Sequence, residues 1–429
     1  MNRTAHPDRD TLARRQLERL GGLIDAIVPA NRFYSAKLEP TGLARGVASL
    51  DAFTAQMVFT TKDELVADQL AHPPYGTNLT FPIERYTRFN QTSATTGTAM
   101  RWLDTPESWD GMLDNWRQVY EAATVGPADR LLFAFSFGPF LGFWTAFEAA
   151  TRLGCLCLPA GGMSSTARLE TILANEVTVL CCTPTYAIRL AEVAEAEGVD
   201  LSASRVRLVI VAGEPGGAVP AVRARIEGAW PGARVFDHHG MTEVGPVSFE
   251  CPARPGVLHV IEEAYLPEIV DPVTDGPTLP GESGELVLTT LTRTGSPLLR
   301  YRTGDLVRAA TERPCVCGRY EMSLVGGILG RTDDMVLVRG VNVYPGAVDQ
   351  IVRRRPEVAE YRVDVRTERA MTELRVSVEP TPDCSDRAGL ARTVAEDLRD
   401  AFSLRIPVEA VEPGGLPRFE MKARRWVRH

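Results

Sequence analysis

The pattern of apolar and polar residues between residues 109 and 237 alternates between a strand period and a helix period. Short runs that are apolar throughout predict strands at Arg130–Phe135, Cys155–Pro159, Thr178–Cys182, Val206–Ala212 and Arg234–Asp237. Amphipathic stretches predict the intervening helices at Trp109–Ala123, Phe140–Thr151, Ser165–Asn175, Pro184–Glu197 and Ala218–Ala229. Such strands indicate a parallel sheet covered on both faces, and these sheets bind ligands beyond the carboxyl ends of their strands.

The chain on either side of this region has a different pattern. A helical period over residues 8–28 predicts an N-terminal helix, and strict alternation over 284–291 predicts a strand. Tyr301–Asp305 is interpreted as a strand end that turns at Gly304, and Gly330–Asp334 as a turn at a joint. The order β-α-β-β-α-β after the joint predicts a small α+β domain. We expect an α/β protein: residues 1–330 with doubly wound sheets and a β-rich region, and 331–429 as the small domain.

Composition narrows the class of protein. The chain has 429 residues, a net charge of -8 and eight cysteines. The negative net charge argues against nucleic-acid binding, and no apolar stretch has the length of a membrane span. The charged N-terminus does not match a secretory signal, so we expect a cytoplasmic enzyme whose cysteines are thiols or metal ligands.

Four segments carry residue types that suit a nucleotide site. Gln91–Thr98 is rich in hydroxyl groups and glycine, and such a loop can surround a polyphosphate. Gly213–Pro215 and Asp237–Glu243 each follow a predicted strand, and Asp305 offers a carboxylate that can grip a ribose diol. Taken singly, each segment is also compatible with an ordinary surface turn.

With these segments in hand, the chain resembles the adenylate-forming acyl-CoA synthetases, and within them the phenylacetate–CoA ligases. The resemblance runs essentially end to end, from Phe59–Lys62 through Val179–Ala187 to Lys422. Gly330–Val336 together with Arg339–Pro345 is very specific to that subgroup.

The resemblance implies a reaction in two ordered steps. A carboxylate attacks the α-phosphate of Mg²⁺-bound ATP and gives an acyl-adenylate and pyrophosphate. The thiol of CoA then displaces AMP to form a thioester. The small C-terminal domain, which carries the adenylation lysine, is expected to rotate between the two steps.

The resemblance also implies roles for individual residues. Asp305 would hold the ribose hydroxyls, Asp333 would be the hinge, and Lys422 would stabilise charge that develops during adenylation. Thr242 and Glu243 would face the phosphates, with Glu243 binding Mg²⁺. The other nucleotide-binding residues would be Lys62, Thr92, Ser93, Thr95, Thr96, Gly97, Gly213, Glu214, Pro215, Asp237, His238, His239, Gly240, Met241 and Arg331.

The chain departs from the family pattern at two places. The phosphate loop usually reads Ser-Ser-Gly-Thr-Thr-Gly-Lys-Pro, whereas Ala94 replaces its first glycine here and Thr98-Ala99 replaces Lys-Pro. The residue before Gly240 is usually a tyrosine that stacks on adenine, and here it is His239. These departures indicate a specialised branch of the family.

The acid substrate is expected to be aromatic. Phe135, Phe140 and Gly240 would line its pocket, since Phe135, Phe137, Phe140 and Phe143 cluster where the subgroup builds its acyl site. Ordinary core packing is the alternative for each ring. Two further functions stay open: transfer to a carrier-protein phosphopantetheine or an amine, and a non-catalytic nucleotide-binding relative. Members of the subgroup are often homodimers.

A metal site is a separate hypothesis. Seven residues lie between Cys251 and His259, and Cys315 and Cys317 flank a single valine in a turn. Three thiolates and one imidazole would satisfy tetrahedral Zn²⁺. Free surface thiols are the alternative at these positions.

Overall fold

A computed structural model describes residues 6–92, 99–332, 334, 336–338, 341–368, 371–419 and 423–429. Its helices are α1 (Arg9–Ile27), α2 (Arg32–Leu38), α3 (Leu50–Gln56), α4 (Lys62–Ala71), α5 (Pro106–Ala123), α6 (Trp144–Leu153), α7 (Ser165–Ala174), α8 (Pro184–Ala196), α9 (Pro220–Ala229), α10 (Pro345–Val352) and α11 (Arg387–Phe402).

The strands up to the joint are β1 (Arg88–Gln91), β2 (Arg101–Asp104), β3 (Arg130–Phe133), β4 (Leu156–Pro159), β5 (Val179–Cys182), β6 (Leu208–Val211), β7 (Arg234–Asp237), β8 (Gly240–Met241), β9 (Gly245–Pro246), β10 (Ser248–Cys251), β11 (Arg254–Val260), β12 (Tyr265–Val270), β13 (Ser283–Thr290), β14 (Tyr301–Arg308), β15 (Ser323–Val325) and β16 (Gly330–Arg331). Those beyond it are β17 (Val336–Val338), β18 (Val341–Val343), β19 (Val358–Glu368), β20 (Met371–Pro380), β21 (Val408–Ala410) and β22 (Trp426–Arg428).

A five-stranded parallel sheet, in the order β4-β3-β5-β6-β7, forms the centre of the N-terminal region. Alternate residues of its strands enter two separate cores. Leu131, Cys181 and Ile210 pack with α5 and α6 on one face. Leu180 and Val209 pack with α7, α8 and α9 on the other face. Two-sided burial explains why these strands are apolar throughout, and it confirms the predicted α/β class.

The strand order places the candidate segments at one edge of this sheet. The chain leaves β3 towards β4 on one side, whereas β5, β6 and β7 extend on the other. The connection reverses direction between β3 and β5, and ligands bind at such reversals, beyond the carboxyl ends. Phe135, Thr183, Gly213 and His238 each lie just after one of the four strands at this edge.

The β-rich region corrects two sequence interpretations. Gly304 does not end a strand, because β14 continues to Arg308, and the pairing with β13 shifts register between Glu285 and Val287. Gly304 has φ +76°, so it forms a bulge within the strand and offsets Asp305. Gly330 and Arg331 form the short strand β16 rather than a turn, and they pair with Leu306 and Asp305.

The C-terminal region has its own core, built by α10, α11 and a four-stranded sheet in the order β21-β20-β19-β22. The predicted first strand does not join this sheet, because β17 pairs with β18 in a separate hairpin. The fourth strand is β22, which runs parallel to β19 and was not predicted. Within the described parts of the chain, the helices lack the combination of length and apolar character needed to cross a membrane.

Candidate active site

Asp305 lies at the centre of a polar corner beyond the parallel sheet. Its Oδ2 is 3.0 Å from Nε2 of His239, and its Oδ1 accepts from Nη1 of Arg331 at 3.2 Å. Nη1 of Arg331 also donates to the carbonyl of Thr303, so the short β16 pairing fixes the guanidinium beside the carboxylate. Nδ1 of His239 is buried and has no hydrogen-bond partner among the described residues. The corner therefore combines a fixed carboxylate with a ring nitrogen left for a ligand.

Glu243 lies close to this corner and is its second carboxylate. Burial raises the pKa of Glu243, and the positive charges of Lys62 and Arg331 oppose that shift. The described residues provide no side-chain hydrogen bond or ion pair to Glu243. A half-buried carboxylate that no described side chain engages suits a hard cation such as Mg²⁺.

A buried arginine holds the backbone beneath this carboxylate. Arg293 donates through Nη1 to the carbonyls of Thr242 (3.0 Å) and Glu243 (2.6 Å). Through Nε and Nη2 it forms a bidentate ion pair with Asp104 at 2.6 and 2.7 Å. Sequence reasoning missed this pair, because Arg293 stands between threonines in a segment that resembles a polar loop. The partners are 189 positions apart in the chain, and no local pattern connects them.

The segments after β6 and β7 lie at the carboxyl edge of the parallel sheet. Gly213 has φ +92°, a backbone conformation that favours glycine. Burial raises the pKa of Asp237 to about 6, although the charges of Arg223 and His239 oppose this. A Cβ atom added to Gly240 would lie 2.8 Å from the carbonyl of Gly245, so no side chain fits there. Glycine at these positions brings the backbone close to any ligand that occupies the edge.

His238 and Met241 belong partly to the core. His238 directs Nδ1 to the carbonyl of Ser248 at 2.6 Å, and its ring lies 4.2 Å from that of Trp116. Burial lowers the pKa of His238 to about 3, so the imidazole is neutral. Met241 is half-buried against the main core. Their contacts with a nucleotide stay a prediction.

Several predicted site residues fall outside the described residues. Thr92 is described, and its backbone N–H donates to the carbonyl of Met100 while its Oγ1 accepts from the N–H of Met100. This pairing closes the base of the predicted phosphate loop. The residues outside the described parts are Ser93, Thr95, Thr96, Gly97, Asp333, which is the predicted hinge, and Lys422.

The phenylalanine segment after β3 forms a continuous group of rings. The ring of Phe135 lies 4.1 Å from that of Phe137, 6.4 Å from that of Phe140 and 5.6 Å from that of Phe143. The predicted helix start at Phe140 is wrong, since α6 begins at Trp144. Phe137 and Gly142 have positive φ values, which a helix cannot accommodate. The rings thus stand on a loop at the carboxyl end of β3.

The cysteine and histidine residues of the metal hypothesis do come together. Ligand atoms of Cys251, His259, Cys315 and Cys317 all lie within 4.8 Å of one another. Sγ of Cys251 is 3.7 Å from Sγ of Cys315, and Sγ of Cys317 is 3.3 Å from Nε2 of His259. A disulfide requires a separation of about 2.05 Å, so these thiols are free.

Comparisons with known proteins agree with this fold. Residues 106–292 match the family model of the AMP-binding enzymes, and 340–429 match that of the AMP-binding enzyme C-terminal domain. The phenylacetate-coenzyme A ligase of Thermus thermophilus is 31% identical over 440 residues, covering 96% of each chain.

A solved structure of another ligase has a similar fold over nearly the whole chain. 2-Hydroxyisobutyryl-CoA ligase in its postadenylation state is 27% identical, with a TM-score of 0.92 over 99% of this chain and 91% of that one. The same enzyme in its thioesterification state, 28% identical over 99% of this chain and 91% of that one, has a TM-score of only 0.74. This chain is thus more similar to the postadenylation structure of that ligase than to its thioesterification structure.

The matching family models and relatives identify the class of protein as the enzymes that activate acids as adenylates. The chain belongs to the adenylate-forming acyl-CoA synthetases, in the phenylacetate–CoA ligase-like subgroup. It is an AMP-forming acid–thiol ligase that uses ATP to adenylate an acid and transfers the acyl group to CoA.

Proposed function

We propose that the acid substrate is aromatic, so that the product is an aryl- or arylacetyl-CoA thioester. The observation that carries this proposal is the group of phenylalanine rings after β3, at the reversal point of the sheet. Aromatic rings prefer edge-to-face and offset contacts with one another, so a substrate ring would extend this packing. Half-buried Phe135 and Phe140 offer ring surface to a ligand.

The proposed site residues divide the work of adenylation. Asp305 would accept hydrogen bonds from both ribose hydroxyls, and Arg331 donates to its Oδ1 at 3.2 Å. Gly213, Glu214, Pro215 and Asp237 would flank the adenine. The segment from Thr92 to Gly97 would cover the phosphates, together with Thr242. Lys422 would place its ammonium against the negative charge that builds on the α-phosphate oxygens as the carboxylate attacks and pyrophosphate leaves.

Glu243 would hold Mg²⁺ beside the phosphates. Its carboxylate is not engaged by another described side chain, and Lys62 and Arg331 favour its ionised form. The bound ion would neutralise phosphate charge during the transfer. Arg293 fixes the backbone of Thr242 and Glu243 through two hydrogen bonds, so the Glu243 carboxylate would already be in position when Mg²⁺ binds.

Pyrophosphate release over a panel of aryl and aliphatic acids tests the substrate class. We expect phenylacetate, benzoate or an amino-substituted aryl acid to support release at least about tenfold faster than aliphatic acids of similar size, because one buried aromatic contact is worth about 1.4 kcal/mol. The control is Phe140→Ala, which should remove the preference while a short aliphatic acid is still activated. Aliphatic acids as the best substrates would contradict the proposal.

The same assay with and without CoA distinguishes the alternatives. Release of pyrophosphate without thioester formation, even with CoA present, would favour a carrier-protein phosphopantetheine or an amine as acceptor. No release with any acid would favour a non-catalytic relative. The homodimer is a prediction from the subgroup, and the sedimentation velocity of the full chain tests it.

We also propose that Cys251, His259, Cys315 and Cys317 bind one structural Zn²⁺. Tetrahedral zinc with Zn–S bonds of about 2.3 Å holds two thiolates about 3.7 Å apart, and Cys251 and Cys315 have this separation. His259 presents Nε2 to the cluster, while its Nδ1 lies 3.3 Å from Oγ of Ser323. An outer hydrogen bond of this kind orients a ligating imidazole.

Metal analysis of protein purified without chelator tests the zinc proposal. We expect near-stoichiometric zinc in the wild-type chain and almost none in Cys317→Ala, with a lower unfolding temperature in the variant. Cys384→Ala is the matched control, because Cys384 is a half-buried thiol outside the cluster. A wild-type chain without zinc, or a Cys317→Ala variant that retains it, would contradict the proposal.

A further inference from the structure

Glu214, which is proposed to flank the adenine, also contacts the C-terminal region. Its Oε1 accepts from the backbone N–H of Thr185 at 2.9 Å, and its Oε2 accepts from the backbone N–H of Ala423 at 2.9 Å. Ala423 is 209 positions away in the chain and directly follows Lys422. One carboxylate thus connects the nucleotide edge of the N-terminal region to the end of the C-terminal region.

The N-terminal side of this contact consists of the first turn of α8 and the glycine-rich turn after β6. Thr185 lies in the first turn of α8, whose first N–H groups have no partner within the helix and attract negative charge. Gly213 and Gly216, on either side of Glu214 and Pro215, have φ values of +92° and +156°. Few residues other than glycine adopt such angles, so the two glycines allow the turn that directs Glu214 towards α8.

Other contacts also join these two surfaces in the described parts of the chain. Arg225 of α9 donates to the carbonyl of Ala359 at 3.1 Å, and Arg418 lies 3.9 Å from Glu192. Glu192 and Arg418 are each about 30% exposed, and exposed ion pairs contribute little. Glu214 makes the charge-assisted hydrogen bond nearest to Lys422 in the part of the chain that is described.

We propose that Glu214 is a positioning residue for adenylation, which fastens the segment after Lys422 to the nucleotide edge. The chain is more similar to the relative's postadenylation structure than to its thioesterification structure, so we assign the contact to the arrangement in which adenylation takes place. When the C-terminal domain rotates for thioester formation, the N–H of Ala423 leaves Oε2, and the other oxygen stays on α8. Glu214 therefore favours one half-reaction over the other.

The Glu214→Gln variant tests this role, which rests on the proposed function of Lys422. Glutamine keeps one acceptor oxygen, and its NH₂ group cannot accept from the second backbone N–H. We expect the adenylation kcat to fall about tenfold or more, since a hydrogen bond to a charged group contributes at least this factor. Transfer from preformed acyl-adenylate to CoA should fall by a much smaller factor than adenylation.

The matched control is Glu192→Gln, which neutralises the carboxylate that pairs with Arg225 at 3.1 Å and Arg418 at 3.9 Å but leaves Glu214 intact. We expect less than about a threefold change in either half-reaction. An equal loss in both variants would overturn the proposal, because general attraction between the surfaces would then explain the effect. Equal loss of both half-reactions in Glu214→Gln, or a change in ATP affinity alone, would also overturn it.

Hydrogen–deuterium exchange provides a readout that does not depend on turnover. With Mg²⁺ and ATP but no acid, we expect the amide of Ala423 to be protected in the full-length chain and in Glu192→Gln, and to exchange faster in Glu214→Gln. Unchanged exchange in Glu214→Gln would overturn the contact itself. This measurement holds even if Lys422 proves not to act in adenylation, so the two failures are distinguishable.

Discussion

Replacing Arg293 with leucine is expected to destabilise the N-terminal region by about 3–5 kcal/mol. Arg293 is 2% exposed, and the side chain of its partner Asp104 is fully buried. Removal of the guanidinium leaves the carboxylate of Asp104 charged and without its bidentate partner, and it leaves the carbonyls of Thr242 and Glu243 without their donor. A buried charge without its partner is among the most destabilising single changes in a protein.

Urea unfolding followed by tryptophan fluorescence measures this loss. The guanidinium of Arg293 lies 5.3 Å from the ring centre of Trp102, so the fluorophore reports on this part of the core. The matched control is Arg117→Leu, which removes an exposed pair with Glu121 and should cost less than about 1 kcal/mol. The double variant Asp104→Leu/Arg293→Leu should recover part of the stability, because no charge is then buried alone. Equal costs for Arg293→Leu and Arg117→Leu would contradict the account.

The second large effect is expected for Lys422→Ala, which should lower the rate of adenylation by about 10²–10³-fold. A cation placed where negative charge develops stabilises the transition state more than the bound substrates, so its loss falls on kcat. Transfer of a preformed acyl group from AMP to CoA should stay close to the wild-type rate. Acid-dependent exchange of pyrophosphate into ATP measures the first half-reaction separately.

Arg424→Ala is the control for this variant. It removes a positive charge two positions further along the chain, and we expect less than about a threefold change in exchange. Full adenylation activity in Lys422→Ala would refute the assigned role. A comparable loss in Arg424→Ala would show that general positive charge near the nucleotide, rather than one lysine, supports the reaction.

The parallel sheet was readable from the sequence because its strands are buried on both faces and therefore apolar throughout. The wrong element boundaries lie where a local backbone preference opposes the apolar pattern. Helix α9 begins at Pro220 rather than Ala218, since proline is favoured in the first helical turn. Helix α6 begins four positions later than the pattern indicates, because the phenylalanine segment adopts positive φ values. The bulge at Gly304 could not be inferred, as a glycine in a polar segment is equally typical of a turn.

Some residues of the candidate site could be predicted from the sequence, and others could not. Asp305, His239 and Arg331 were each named from local motifs, and the structure brings them within hydrogen-bond distance. Their roles towards a nucleotide remain predictions. The pairing of Arg293 with Asp104 and the contact of Glu214 with Ala423 join segments far apart in the chain. Such contacts depend on how the elements pack in three dimensions, and no periodic pattern in the sequence records them.

A single-turnover experiment with this chain, Mg²⁺, ATP and phenylacetate, followed by addition of CoA, shows whether the enzyme forms an acyl-adenylate before it forms a thioester. If phenylacetate is not activated, the best acid of the panel takes its place. The account predicts one equivalent of pyrophosphate and a retained acyl-adenylate before CoA is added, and then AMP and a thioester in equal amounts. Formation of ADP and phosphate, or of a thioester without prior release of pyrophosphate, would contradict it.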